Sequence, residues 1–338
     1  MLNLHEVEHS VVGNDMRLFF KTQLSGLLKN QSDFDLTQDW PSPLEIDILC
    51  EKAAGFFFYA STVIKFVTSK NRKPTIQLDR VTSLPQSTFL EGRSGIDSLY
   101  TQALGQVVDD VDADNEELHS NFRTVVGAVL LVFNPLSARA LSDLLGVSYI
   151  SNILYSLHSL LLVPMCKDDP IQIFHKSLPD FLMDPRRCTD YRFFIDPPIH
   201  HTEILLSSLR FMGERLEKNI CRLGDHDILS EVGDISNRRR EYIGEALEYA
   251  CCFWAKHLLR APNSGPGIKK VQEAIDKFFT TCLLYWIEVL SLVGNLRIGV
   301  YALHEIQEWY TSVSYMWNVH LGTIVNTHSG RSFLQVGK

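Results

Sequence analysis

Residues 243–258 constrain the fold more than any other stretch. Ile243, Leu247, Ala250, Trp254 and Leu258 fall at i, i+4, i+7, i+11 and i+15, which lines one face of an α-helix and of no strand. A stripe that carries a tryptophan has to be covered by other elements. Ile275, Phe278, Phe279, Cys282, Trp286, Val289 and Leu290 make a second stripe, and residues 296–313 a further helix. The break "APNSGPG" separates the first two. Helices joined by short breaks predict a bundle or array, without a clean fixed-period repeat.

The N-terminal part reads in the same way. "SPLEIDILCEKAAG" opens with a capping box: Ser42 at the cap, Pro43 in the first turn and Glu45 three residues on. Gly55 offers the left-handed stop. "FFFYASTVIKFVTS" continues as a buried helix, with its β-branched and aromatic content leaving a strand open. "KNRKPTIQLDRVTSLPQS" reads as a polar connector. "GIDSLYTQALGQVV" is helical again, with Ile96, Leu99, Ala103 and Val107 on one face.

Residues 122–182 form a distinct block. A helix carries Phe122, Val125, Val126, Val129, Leu130 and Phe133; Ser137 caps a short second helix that Gly146 stops; "SYISNILYSLHSL" is a third. "LLLVPMCKDDPIQIFH" gives two β-rich runs around a Lys-Asp-Asp-Pro turn. Three helices and a hairpin is the winged-helix order. Ser177 is expected to cap one more short helix, with Asp180 reaching back. The fold class is therefore mainly α: a helical N-terminal segment, a winged-helix block with a small β-hairpin, and a C-terminal helical bundle or array. The expected divisions are residues 1–108, 118–196 and 197–318, with 319–338 a loose tail.

Composition excludes several function classes. The chain of 338 residues carries a net charge of −8, and neither half is strongly basic, so capture of nucleic acid is disfavoured. The third helix of the block has no Lys or Arg and the "CKDDP" wing is net negative, which makes a poor DNA reader. Seven cysteines are scattered without C-x-x-C pairs, which suits a reducing, cytoplasmic setting with Cys50, Cys251, Cys252 and Cys282 in cores. Residues 53–64 are too short to span a bilayer, and 281–300 contain Glu288, Asn295 and Arg297, so no membrane span is expected.

Motifs for chemistry are sparse. There is no G-x-x-x-x-G-K-[ST] phosphate loop, and "VVDD" at 107–110 follows a helical pattern rather than the strand a Walker B carboxylate needs. "DVDADNEELHSN" has Asn115 and Asn121 where a calcium loop needs glycine and a bidentate glutamate. His200 and His201 are adjacent, so they diverge and cannot chelate one ion. Cys188 or Cys221 could be offered as nucleophiles, but nothing local activates a thiol. His175, at the seam between the second β-rich run and the last short helix, stays open: a base, a ligand, a phosphate contact or a turn residue.

Several long stretches, in order, resemble one family. "FRTVVGAVLLVFNPLSARALSDLL", "LHSLLLVP", "IFHKSLPDFLMDPRRCTDYRFFI", the "HH" pair and "LEYACCFWAKHL" resemble the region after the nucleotide-binding core of fungal NACHT proteins, which are STAND-type signal-transducing NTPases. "LEIDILCEKAAGFFFYASTVIKFV" is similar to the helical lid of that module, and "LYWIEVLSLVG" to the helices before its sensor repeats. The resemblance implies a role in self/non-self recognition or innate-immunity-like signalling. It also implies that a histidine at the end of the winged-helix hairpin contacts the phosphate of bound ADP, and His175 is the matching position. The family's P-loop and Walker B are missing, so the chain is expected to be a non-catalytic regulatory segment and not an enzyme. It would take ATP or ADP only when a P-loop core is supplied. Its expected partners are another protein or the remainder of a NACHT protein, with oligomerisation open. One alternative is a protein-interaction adaptor built on helical repeats, motivated by Phe278, Phe279, Tyr285, Trp286, Trp309, Tyr310 and Trp317. The disfavoured alternative is a winged-helix DNA-binding regulator.

Overall fold

A computed structural model describes residues 9–30, 39–69, 72–83, 93–109, 116–224, 232–265 and 267–313. The tail expected to be loose and the first six residues of "DVDADNEELHSN" lie outside the described residues. The protein is mainly α, and its one described sheet has two strands. The chain divides into two compact units, each built from separate stretches.

Unit 1 takes Met1–Arg123, Ser151–Met165 and Ile171–Phe194. Helices α1 (His9–Asn30), α2 (Pro43–Ala53), α3 (Phe57–Val67) and α4 (Pro74–Thr82) pack on one another, and α5 (Arg93–Asp109) packs on α3. Met16, Phe20, Leu24, Leu49, Val63, Phe66, Leu78, Val81 and Leu99 fill this core. Ser42 starts α2 with a full capping box, its hydroxyl accepting from the Glu45 N–H while the Glu45 carboxylate accepts from the Ser42 N–H. The left-handed turn that ends α2 begins at Ala54 (φ 44°), one residue before the expected Gly55 (φ 83°).

The buried helix expected within residues 56–69 forms as α3, which closes the strand alternative. One N-terminal expectation changes. Residues 74–82, expected within a connector, form α4 instead. Pro74 occupies the first turn, where its missing N–H costs nothing, and Pro74, Gln77, Leu78 and Val81 make a buried stripe at helical spacing. The far end of α4 is held by Lys52, buried on α2, whose Nζ donates to the Val81 carbonyl at 2.6 Å and the Thr82 carbonyl at 2.8 Å. These are carbonyls that the helix itself leaves unpaired.

Helix α6 runs Glu116–Leu131, α7 Ala138–Leu145 and α8 Ile150–Ser156, followed by β1 (Leu161–Leu162), β2 (Gln172–Ile173) and α9 (Ser177–Leu182). The strands pair antiparallel, Leu161 with Ile173 and Leu162 with Gln172. Pro164 and Pro170 flank the pairing and lack the N–H that would extend it.

Unit 2 takes Thr124–Ile150, Cys166–Pro170 and Ile195–Lys338. Ser137 caps α7 by accepting the Ala140 N–H at 3.1 Å, and Gly146 closes it at φ 71°. The Ser137 N–H and hydroxyl donate to Glu245 at 3.0 and 2.5 Å. The remaining elements are α10 (Pro197–Arg215), α11 (Ile235–Arg238), a π-helical segment (Arg239–Ile243), α12 (Gly244–Leu258), α13 (Ile268–Thr281), α14 (Leu283–Leu292) and α15 (Leu296–Val313).

Helix α12 is central, packing on α7, α10, α14 and α15. Its Trp254 is fully buried, edge-on to Trp286 at 5.9 Å and tilted on Phe278 at 4.8 Å. The Trp286 indole donates to the Cys251 carbonyl at 2.8 Å. Gly127 on α6 lies so near His200 on α10 that an added Cβ would meet the ring at 2.2 Å.

Candidate functional site

His175 stands in unit 1 at the junction of β2 and α9. Strand β2 ends at Ile173, and Phe174 and His175 lead into α9. The imidazole stacks on Phe58 of α3, centroids 3.6 Å apart and planes 20° from parallel. Phe174 lies 5.7 Å from the same phenyl ring and receives Lys65 Nζ at 3.2 Å over its face. Both Phe58 and Lys65 belong to α3, so one helix supplies an aromatic wall and a cation.

The hydrogen bonds fix the tautomer. The Ser177 backbone N–H donates to His175 Nδ1 at 3.1 Å, and a backbone N–H can only donate. Nδ1 is therefore an acceptor, and the neutral ring carries its proton on Nε2. The Ser177 hydroxyl also lies against Nδ1 at 2.9 Å and meets the Tyr100 hydroxyl of α5 at 2.7 Å. Tyr100 → Ser177 → His175 is thus a donor chain that ends on Nδ1. Asp97, one turn back on α5, takes a two-pronged contact from Arg187 at 3.0 and 2.5 Å.

Ser177 corrects an expectation. It is not the cap of α9 but its first residue; Lys176 holds the cap position in helical geometry, with no side-chain cap. The hydroxyl is already committed to His175 and Tyr100, so it cannot turn back to an α9 N–H.

The electrostatics keep the ring neutral. Burial lowers the His175 pKa below the ordinary 6.5, and Lys176 lowers it further, against an opposing pull from Asp180. Burial pushes Tyr100 up to about 12, opposed by its Ser177 contact. The site therefore presents a neutral imidazole whose Nε2–H has no hydrogen-bond partner among the described residues. Chemically this is one donor beside an aromatic wall, with Lys65 and Lys176 nearby in structure or sequence. It suits an anionic oxygen better than a metal, because Nδ1 accepts a backbone N–H and Nε2 carries the proton, so neither nitrogen offers a free lone pair.

The other candidates separate. Ser42 and Ser137 sit at helix starts remote in sequence from His175. Cys188 and Cys221 are buried, and burial raises both thiols, Cys188 to about 12; this is the opposite of activation. His200 and His201 do diverge: His200 Nδ1 donates to the Asp196 carbonyl at 2.9 Å, while His201 turns to His257. Among the described residues, no three His, Cys, Asp or Glu side chains gather as a metal site. No described helix is long and apolar enough to cross a membrane.

Sequence reasoning did not find Phe58, Lys65 or Tyr100, which reach His175 only through the tertiary fold. The three phenylalanines of "FFFYAS" were the available signal, but nothing local says which of them turns inward.

Fold and site together describe a mainly α protein with a neutral, donor-presenting histidine behind a small hairpin. The chain is similar to the vegetative incompatibility protein HET-E-1 of Podospora anserina, at 24% identity over 282 residues and 77% of this chain. It spans 19% of that relative's length. No family model matches the chain, and no solved structure matches it.

Proposed function

We propose that the chain is a non-catalytic regulatory segment of a STAND-type NTPase of the fungal NACHT kind, which couples nucleotide state to self/non-self signalling. The distant likeness to a vegetative incompatibility protein carries this reading. The donor arrangement at His175 supports it: an Nε2–H fixed by Ser177 is suited to a phosphate oxygen. Such a contact exists in one nucleotide state and not the other, which is what a switch requires. Helices α2 to α5 would act as lid, and α6 to β2 as the winged-helix element. Of the aromatics that motivate the adaptor alternative, Phe278, Phe279, Trp286, Trp309 and Tyr310 are buried and Tyr285 is half-buried, while Trp317 lies outside the described residues.

The test has two arms. The purified chain alone is expected to turn over no ATP in the presence of Mg²⁺. Joined to a P-loop core, it is expected to bind ADP, and His175→Ala to weaken that binding about tenfold, the value of one charge-assisted hydrogen bond. ADP binding unchanged by His175→Ala would remove the phosphate role.

A further inference from the structure

We propose that Phe133, Tyr249, His257 and His201 form an acid-sensitive latch: a one-way hydrogen-bond chain that clamps α12 to the start of α10 while both imidazoles are neutral, and releases it when either takes a proton.

The direction of the chain is fixed from its first donor. The Phe133 backbone N–H donates to the Tyr249 hydroxyl oxygen at 3.2 Å. The Tyr249 proton then goes to His257 Nε2 at 2.8 Å. His257 therefore carries its proton on Nδ1 and donates it to His201 Nδ1 at 2.8 Å. His201 in turn carries its proton on Nε2. The reverse order would strand the Tyr249 proton in the core, since no other described acceptor reaches it. Each contact is thus used once, with both rings neutral.

An extra proton has no place in this chain. On His201 it would set Nδ1–H against Nδ1–H. On His257 Nε2 it would face the Tyr249 hydroxyl proton. Nor can water easily intervene: His257 is 0% exposed and His201 5%. Phe133 covers the pair, its ring centroid 4.7 Å from His257 and 6.1 Å from His201. The charges around the pair oppose a cation there. Arg260, just after α12, acts against charge on both rings, and His200 acts against it on His201. Arg260 and Lys256 lie over the Phe133 ring at 4.7 and 5.7 Å. Glu203 lies 4.0 Å from His200, and Glu245, one turn before Tyr249 on α12, is committed to Ser137.

Burial is the main cause that holds His257 at about 3 and His201 at about 4, against an ordinary 6.5. The unfolded or opened chain takes protons near pH 6.5 and the latched one does not. The latch therefore contributes its full stability above about pH 6.5 and loses it as pH falls toward 4 and then 3. Between pH 7 and pH 5, each histidine raises the opening constant about 25-fold by this linkage.

The test uses the full chain. With ¹⁵N-labelled histidine and the His201 and His257 signals assigned by single substitution, NMR at pH 5 is expected to show His257 neutral with its proton on Nδ1 and His201 neutral with its proton on Nε2. Hydrogen exchange over residues 244–258, corrected for intrinsic rates, is expected to show opening several hundredfold greater at pH 5 than at pH 7. In His257→Gln, the amide can accept from Tyr249 and donate to His201 without titrating, and the rise is expected to fall to about 25-fold. His201 and His257 titrating near pH 6.5, or the same pH dependence in the variant, would overturn the latch. If the variant does not fold, the wild-type NMR decides alone.

Discussion

At Ser177 one hydroxyl joins two elements, because it sits between the Tyr100 hydroxyl and His175 Nδ1. Ser177→Ala would leave a largely buried tyrosine hydroxyl unpaired, and is expected to cost about 1–3 kcal/mol. Tyr100→Phe removes that hydroxyl as well and should cost about 1 kcal/mol. Urea unfolding of the two variants checks the order; a neutral Ser177→Ala would mean the serine carries nothing. The same logic explains what was readable at this scale. Ser42 and Ser137 are caps because their partners lie three residues away, within reach of sequence rules. Ser177 has the same local pattern, yet a tyrosine 77 residues away claims its hydroxyl. The His201–His257 pair, 56 residues apart, left no local trace. Adjacency makes His200 and His201 diverge, but their partners, the Asp196 carbonyl and His257, are set by the fold.

Among elements, α4 shows where pattern reading stops. "KNRKP" reads as a connector because its charges and proline dominate, while the buried stripe that follows is short and includes Gln77. The last carbonyls of α4, at Val81 and Thr82, are taken by Lys52 of α2, a partner 29 residues before Val81 that no local pattern shows. Lys52→Ala is expected to free two carbonyls and cost about 1.5–3 kcal/mol. Hydrogen exchange should then accelerate across residues 74–83 while α14 keeps its protection; unchanged exchange there would show that α4 ends without it. The long helices were readable because their apolar period is unambiguous. Residues 296–313 form α15, the range drawn from sequence. The second stripe of the sequence proves to be shared by α13 and α14, with Cys282 at the break between them. Ile275, Phe278 and Phe279 on one side of Cys282 and Trp286, Val289 and Leu290 on the other are all buried, so the stripe alone does not reveal the interruption.

For the whole molecule, the two units are assembled from interleaved stretches. A fragment of residues 1–196 would contain 124–150 and 166–170 without the rest of unit 2. It is expected to expose α7's apolar face, Leu141 and Leu144 included, and to bind a hydrophobic dye. Cooperative unfolding without dye binding would contradict that expectation. Trp254 organises the centre of unit 2, and Trp254→Ala is expected to cost about 3–5 kcal/mol. The mainly α class was legible because burying apolar stripes leaves few other solutions. Function was less legible, since it rests on a single donor nitrogen and a distant likeness. ATP turnover by the purified full chain is the measurement that decides whether the segment is non-catalytic. No turnover above buffer is expected in the presence of Mg²⁺. Turnover that survives stringent purification and disappears on a point substitution in this chain would contradict it.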